Sequence, residues 1–282
     1  MRTKPILAAA ILAPLSSLVL AQTCPTGIAN GDPWTHNNAV LFKRAPYNVD
    51  ADGAPNSYLV DGKGLSFTCD GVVAFENGKR VTSKTDKKHW QAKCQAAWKK
   101  ARASGDYGGV RIFGFETGPH NVPLIQKAGD PLPGKAYISA TSIGIPGQPA
   151  GTQRRYVDAT RIPYIVLPQD FIEQHAIKPG TLAVVYRPAT GRHAFAVYAD
   201  GGGLGEGSIK LHQDLGSDPI VMRDGVARAK ARIEDPVLTA VFPAAVSRRE
   251  ADAAAWHERI QKEGAAALDA FGGIAQLQAC AK

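Results

Sequence analysis

Residues 193–211 read HAFAVYADGGGLGEGSIKL, and the way this stretch folds decides both the architecture and the chemistry of the chain. Its first half alternates as a strand does, with Ala194, Ala196 and Tyr198 on one face and Phe195, Val197 and Ala199 on the other. The strand runs into Asp200, then glycine at 201, 202, 203 and 205, then Glu206. A strand leading into a tight loop puts both carboxylates at the loop's base, within the width of one cleft. A plain glycine-rich hairpin needs no function at all. A dinucleotide-binding turn needs a long helix behind it to aim its dipole at phosphate, and SIKLHQDLG is too short for that before Gly216. Two acids across a short loop do suit glycosidic hydrolysis. One protonates the leaving oxygen, the other serves the opposite face of the sugar, and glycines let the backbone approach a bulky ring.

Outward from this loop the chain reads as short strands. They are expected at Ala39–Lys43, Val72–Phe75, Val110–Phe115, Val122–Gln126, Ala136–Ser142, Tyr164–Leu167, Leu182–Arg187, Ala194–Ala199 and Leu238–Phe242. NGDP, DADGAPN, VDGKG, GDPLPGK and GIPGQPAG mark turns between them. Strands so spaced predict a mainly β fold, a barrel or sandwich, over a wound α/β sheet. Two helices interrupt the pattern. In the first, capped by Asp86, Trp90, Cys94, Ala97, Trp98 and Ala101 share a face opposite lysines. The second is expected to start at Ser247, with Glu250 completing a capping box, and to break at Gly272-Gly273.

The N-terminus combines basic MRTK, apolar ILAAAILAPLSSLVLA and the small-residue site Val19-Leu20-Ala21, which predicts a signal peptide over 1–21. Pro14 and Ser16-Ser17 argue against a retained membrane span. The mature protein is therefore expected to be secreted, extracellular or periplasmic, as a monomer with no membrane partner. Cys24, Cys69, Cys94 and Cys280 are even in number, as for two disulfides in an oxidising compartment. Three pairings are open; we expect Cys69–Cys94 locally and Cys24–Cys280 across the ends. No CxxC occurs, and His120, His175, His193 and His212 lack ligand spacing, so no metal is expected. The chain is basic, with 33 Lys and Arg against 25 Asp and Glu and a net charge of +8. Its densest cationic runs, SKTDKKHW and WKKARAS, fall on one expected helix without interleaved aromatics. We read them as a solvated face and expect no nucleic-acid partner.

Several ordered segments resemble a known family. AFAVYADGGGLGEGSIKLHQDLG resembles the signature of glycoside hydrolase family 75, the fungal-type chitosanases, where a strand ends in an aspartate and a GEGS segment carries a glutamate. VDADGAPNSYLVDGKGL, NVPLIQKAGDPLPGKAYISATSI and YVDATRIPYIVLPQDF with IKPGTLAVVYRPATG resemble further parts of it, over residues 47 to 243. The loop between the acids is shorter than is usual there. The resemblance implies a double-psi β-barrel-like core with peripheral loops. It also implies endo-acting, inverting hydrolysis of β-1,4-linked glucosamine polymers such as chitosan, without cofactor or metal. Glu206 and Asp200 match the family's essential pair. We assign Glu206 as general acid, with Leu204 and Ile209 nearby to raise its pKa, and Asp200 as the ionised base that orients water. Asp50, Asp52, Asn56, Tyr58, Asp158 and Tyr164 are candidate substrate-binding residues, and Asp61 joins the acids expected to line a groove for a cationic polymer. The implied organisation is a signal peptide (1–21), a catalytic domain (22–243) and a helical C-terminal extension packed on it (244–282). Two other readings stay open: hydrolysis of another amino-sugar polymer such as peptidoglycan, and a non-catalytic carbohydrate-binding barrel. Ser208, in GEGSI, does not fit a nucleophile elbow.

Overall fold

The computed structural model describes residues 23–282, so the expected signal peptide at 1–21 lies outside the described residues. In chain order the elements are β1 (Trp34–His36), β2 (Ala39–Arg44), β3 (Asn48–Asp50), β4 (Val72–Glu76), β5 (Lys79–Val81), α1 (Trp90–Ser104), β6 (Val110–Ile112), β7 (Tyr164–Leu167) and α2 (Gln169–Gln174). There follow β8 (Thr181–Arg187), β9 (Arg192–Gly201), β10 (Glu206–Ser208), α3 (Ile209–Asp214), β11 (Ile220–Arg223), β12 (Val226–Ala229), β13 (Val237–Val246), α4 (Ala253–Phe271) and α5 (Gly273–Ala281). The fold is mainly β. One mixed sheet has the order β1-β2-β13-β8-β9-β7-β10-β3, with β7 parallel to β9 and β10 parallel to β3. A three-stranded antiparallel sheet, β5-β4-β6, and the β11–β12 hairpin flank it.

Both faces of the large sheet are buried. Val184, Val197, Leu238 and Leu41 point into one cluster, while Val185, Ala196, Val241 and Val40 point into another. This double burial explains apolar runs such as YIVL and LAVVY, which leave no polar face. The alternation read in 194–199 holds: Val197 and Ala199 join the first cluster, Ala194, Ala196 and Tyr198 the second. The first face is covered by α4 and α5, through Trp256, Ile260, Leu268, Phe271 and Leu277. Burial of such side chains contributes roughly 1.5–3 kcal/mol each, so these helices share the core of the strands. The second face is covered by Phe171 and Ile177, in and just beyond α2, and by Leu211 and Leu215 around α3. A third cluster joins β4 and β6 to α1 through Val72, Ala74, Val110, Ile112 and Trp98. Disulfides link Cys69 to Cys94 and Cys24 to Cys280, the pairing expected. No helix among the described residues is long and apolar enough to cross a membrane.

Three local expectations are corrected. Residues 122–126 and 136–142 are not strands; isolated bridges such as Ile125–Tyr137 and Phe115–Ser139 replace ladders. Buried Gln153 explains part of this. Its Oε1 accepts from the Ser139 amide (2.8 Å), and its Nε2 donates to the carbonyls of Ser139 (3.0 Å) and Gly53 (2.9 Å), so a side chain satisfies backbone that a neighbouring strand would otherwise pair. Helix α1 begins at Trp90, and Asp86 accepts from the His89 amide in the preceding turn. Helix α4 begins at Ala253 and is capped by Asp252, which accepts from the amides of Ala254 (2.8 Å) and Ala255 (3.1 Å). Glu250 does not complete a capping box with Ser247, because its carboxylate binds Arg259 at 2.7 Å.

Candidate active site

Strands β9 and β10 do not form the hairpin that the glycine loop suggested. Both pair with β7, which lies between them. A bulge follows Tyr198: Tyr198 pairs with Ile165, but Val166 pairs with Asp200, so one extra residue is inserted on β9. The insertion turns Asp200 onto the face of Val166, the use to which bulges beside functional sites are commonly put. On the other side Gly207 faces Ile165, which sets Glu206 beside Val166 as well. The two acids thus flank one valine. Parallel pairing of Ser208 with Asp50 brings β3, and with it Asp50 and Asp52, to the same edge.

At Gly202 and Gly205 the loop passes too close to its neighbours to admit a side chain. A Cβ at Gly202 would lie 2.7 Å from the Val166 side chain, and one at Gly205 would lie 1.9 Å from Cγ of Arg44. Gly205 also has φ +84°, a region disfavoured for other residues. Arg44 fastens the loop by donating from Nε to the Leu204 carbonyl at 3.1 Å.

Two cavities meet at the acids. One, of about 410 Å³, is lined by Asp50, Asp52, Asp70, Glu206, Tyr58, Trp90 and Lys230 among others. The second, of about 440 Å³, shares those four acids and adds Asp200, Ser142, Thr141 and Phe113. Oxygens of Asp50, Asp52 and Asp200 lie within 4.8 Å of one another. Such a triplet could hold a hard, oxygen-seeking cation. Without one, three like charges so close share protons instead.

Each carboxyl is held by named partners. Asp200, 5% exposed, accepts at Oδ1 from the amides of Ser142 and Gly201, both at 2.7 Å. Burial and repulsion from Asp50 push its pKa up to about 7 despite these bonds. It was expected to stay ionised; burial first and Asp50 second delay that ionisation until pH approaches 7. Burial raises Glu206 to about 8, helped by the charges of Asp50, Asp200 and Asp70. Leu204, expected to supply its apolar setting, packs instead with the second core cluster. Asp50 accepts from the Asp52 amide at 2.8 Å and is also raised by burial. Asp52 is raised well above its ordinary value, first by burial and then by Asp50 and Asp200, while the Tyr58 hydroxyl donates to it.

Of the sequence candidates, the fold brings together Asp50, Asp52, Tyr58, Asp200 and Glu206. Tyr164 stands behind them, fully buried, its hydroxyl donating to the Asp52 carbonyl at 2.8 Å. Asp158 lines a separate cavity and its Oδ1 accepts from the amide and hydroxyl of Thr160 at 2.9 and 2.7 Å. Asn56 lines neither acidic cavity, and Asp61 is exposed with its carboxylate accepting from the Lys63 amide. Asp70 was missed. It follows Cys69 in a short turn, accepts from the Phe67 amide and pairs with Lys230, both at 3.1 Å. Its nearness to a bridged cysteine was the only signal in the sequence. His212, beneath the site, is buried and held neutral by desolvation, its pKa lowered to about 4; its Nε2 bonds the Asn48 carbonyl at 2.9 Å.

Compared with family models and with curated proteins, the chain matches none.

Proposed function

We propose that this chain is a secreted, endo-acting glycoside hydrolase of the family 75 type, cleaving β-1,4 linkages in chitosan with inversion. The observation that carries the reading is the pair Asp200 and Glu206 on either side of Val166, at the junction of two open cavities. Two strand spacings separate their backbones, roughly 9.5 Å. Direct displacement calls for carboxyls about 6.5–9.5 Å apart, the separation that the two side chains reaching from these backbones have to keep open for water. The mixed sheet with its two parallel pairs is compatible with a double-psi β-barrel core, and two disulfides with export.

In this mechanism Glu206, protonated below pH 8, gives its proton to the leaving glycosidic oxygen. Asp200, ionised as pH passes 7 and steadied by the Ser142 and Gly201 amides, takes a proton from the attacking water. Asp50, Asp52 and Asp70 place carboxyl groups around the bond, and an ammonium group of glucosamine or the cationic transition state entering among them favours their ionised forms and is balanced by the charge so released. The chain's positive net charge does not oppose this, because the sign that a substrate meets is set locally.

The test is reducing-end release from chitosan by wild type, Glu206→Gln and Asp200→Asn. Each variant is expected to lose at least ~100-fold in kcat while remaining folded. Wild-type inactivity on chitosan, or a variant within a few-fold of wild type, would refute the proposal. Cleavage of peptidoglycan alone would move the substrate to another amino-sugar polymer.

A further inference from the structure

Beside the acidic junction lies a third cavity of about 450 Å³ with the opposite character. It is bounded by Val72 and Val73 of β4, Arg80 and Val81 of β5 and Arg111 of β6, with Trp90 at the start of α1. Register puts Arg80 of β5 opposite Phe75, and Arg111 of β6 opposite Val73, so the two arginines flank the central strand on one face. Both are exposed, and among the described residues neither is in an ion pair. Between them and the acids stand Phe113, 57% exposed, and Trp90. Phe113 also lines the Asp200 cavity, and Trp90 the Asp70 cavity, so the third cavity adjoins both acidic ones through these two rings.

We propose that this cavity is a distal subsite for a carboxylate-bearing unit of the amino-sugar polymer. It rests on the hydrolase reading and adds to it a substrate class. A uniformly cationic chain would gain from the acids and lose at Arg80 and Arg111. A chain that presents an ammonium at the junction and a carboxylate a unit or two away meets the matching sign at both places. Guanidinium groups suit that carboxylate through paired, planar hydrogen bonds. Phe113 and Trp90 offer apolar rings to the C–H face of the intervening sugar. Thr82 and Ser83 supply hydroxyls at the rim.

The test measures binding, not turnover, in the Glu206→Gln background by calorimetry. The probes are a glucosamine hexamer and the same hexamer O-carboxymethylated. The carboxymethylated hexamer is expected to bind about fivefold more tightly at low salt, the size expected of two exposed charge pairs. Arg80→Gln with Arg111→Gln should erase that difference and leave the plain hexamer's affinity unchanged or slightly improved. Equal affinity for both probes, no binding of either, or a preference that survives the double substitution would overturn the subsite. Failure of the hydrolase reading is read separately, as wild-type inactivity on chitosan, whereas failure of the subsite alone is read as equal affinity for the two probes in an active enzyme.

Discussion

Replacing Asp200 by asparagine should make the protein more stable while removing its activity. The native carboxyl is buried, and its pKa rises from 3.8 to about 7 because burial and Asp50 both disfavour the charge. At 1.36 kcal/mol for each tenfold, that rise corresponds to a cost of ~4 kcal/mol once the group is fully ionised. Protons shared with Asp50 and Asp52 reduce the figure, so about 2–4 kcal/mol is expected. The sign follows from the direction of the shift. A carboxyl whose folded pKa lies above its unfolded one stabilises the fold fully below about pH 4, and this contribution is lost as pH climbs through 7. Asparagine keeps an Oδ1 to accept from Ser142 and Gly201, and its amide can donate to Asp50 where a second charge stood. Thermal melts with disulfides intact should therefore show Asp200→Asn ahead of wild type by roughly 5–10 °C at pH 8. The gap should close by pH 4. A variant no more stable than wild type at pH 8, or one equally advantaged at every pH, would refute the account of a charge held against its preference.

Other expectations follow from the same geometry. The pH profile of kcat/KM on a soluble glucosamine hexamer should be bell-shaped, with limbs near 7 and 8 that belong to the acidic cluster as a whole; a flat profile from pH 5 to 9 would contradict the assigned proton donor. Gly205→Ala should cost at least ~1 kcal/mol in denaturant melts and lower kcat, since Arg44 must leave its place to admit the methyl group. Serine at both Cys69 and Cys94 should lower stability by about 3 kcal/mol and raise KM, because the bridge holds the Asp70 wall against α1. Trp256→Ala should cost about 3–5 kcal/mol by emptying the floor between α4 and the sheet, again read by denaturation.

The sequence made some of this plain and hid the rest for identifiable reasons. Tyr164–Leu167, Leu182–Arg187 and Ala194–Ala199 were legible because their side chains are buried on both faces, and burial leaves an apolar signature. The strands Asn48–Asp50 and Glu206–Ser208 left none. They are three residues long, one contains Gly207, and they are extended only because neighbours hold them in parallel register. Asp200 and Glu206 could be singled out as a pair, but not the strand between them, since nothing local says that a short glycine loop steps over Val166 and does not close a hairpin. Asp70 arrives from a distant turn, carried by a disulfide whose partner sits on a helix. Gln153 reads as a surface residue until the backbone it satisfies is known.

The placement of β7 has a consequence for how the spacing of the two acids can vary. Were the acids joined by a hairpin, every insertion in the turn would alter the gap across which they cooperate. With a strand interposed, that gap is ruled by the spacing of the sheet, which side-chain and loop changes scarcely touch. The connection over Val166 is then a bridge whose span can be rebuilt, shortened or stripped to glycine, while the working distance beneath it stays the same.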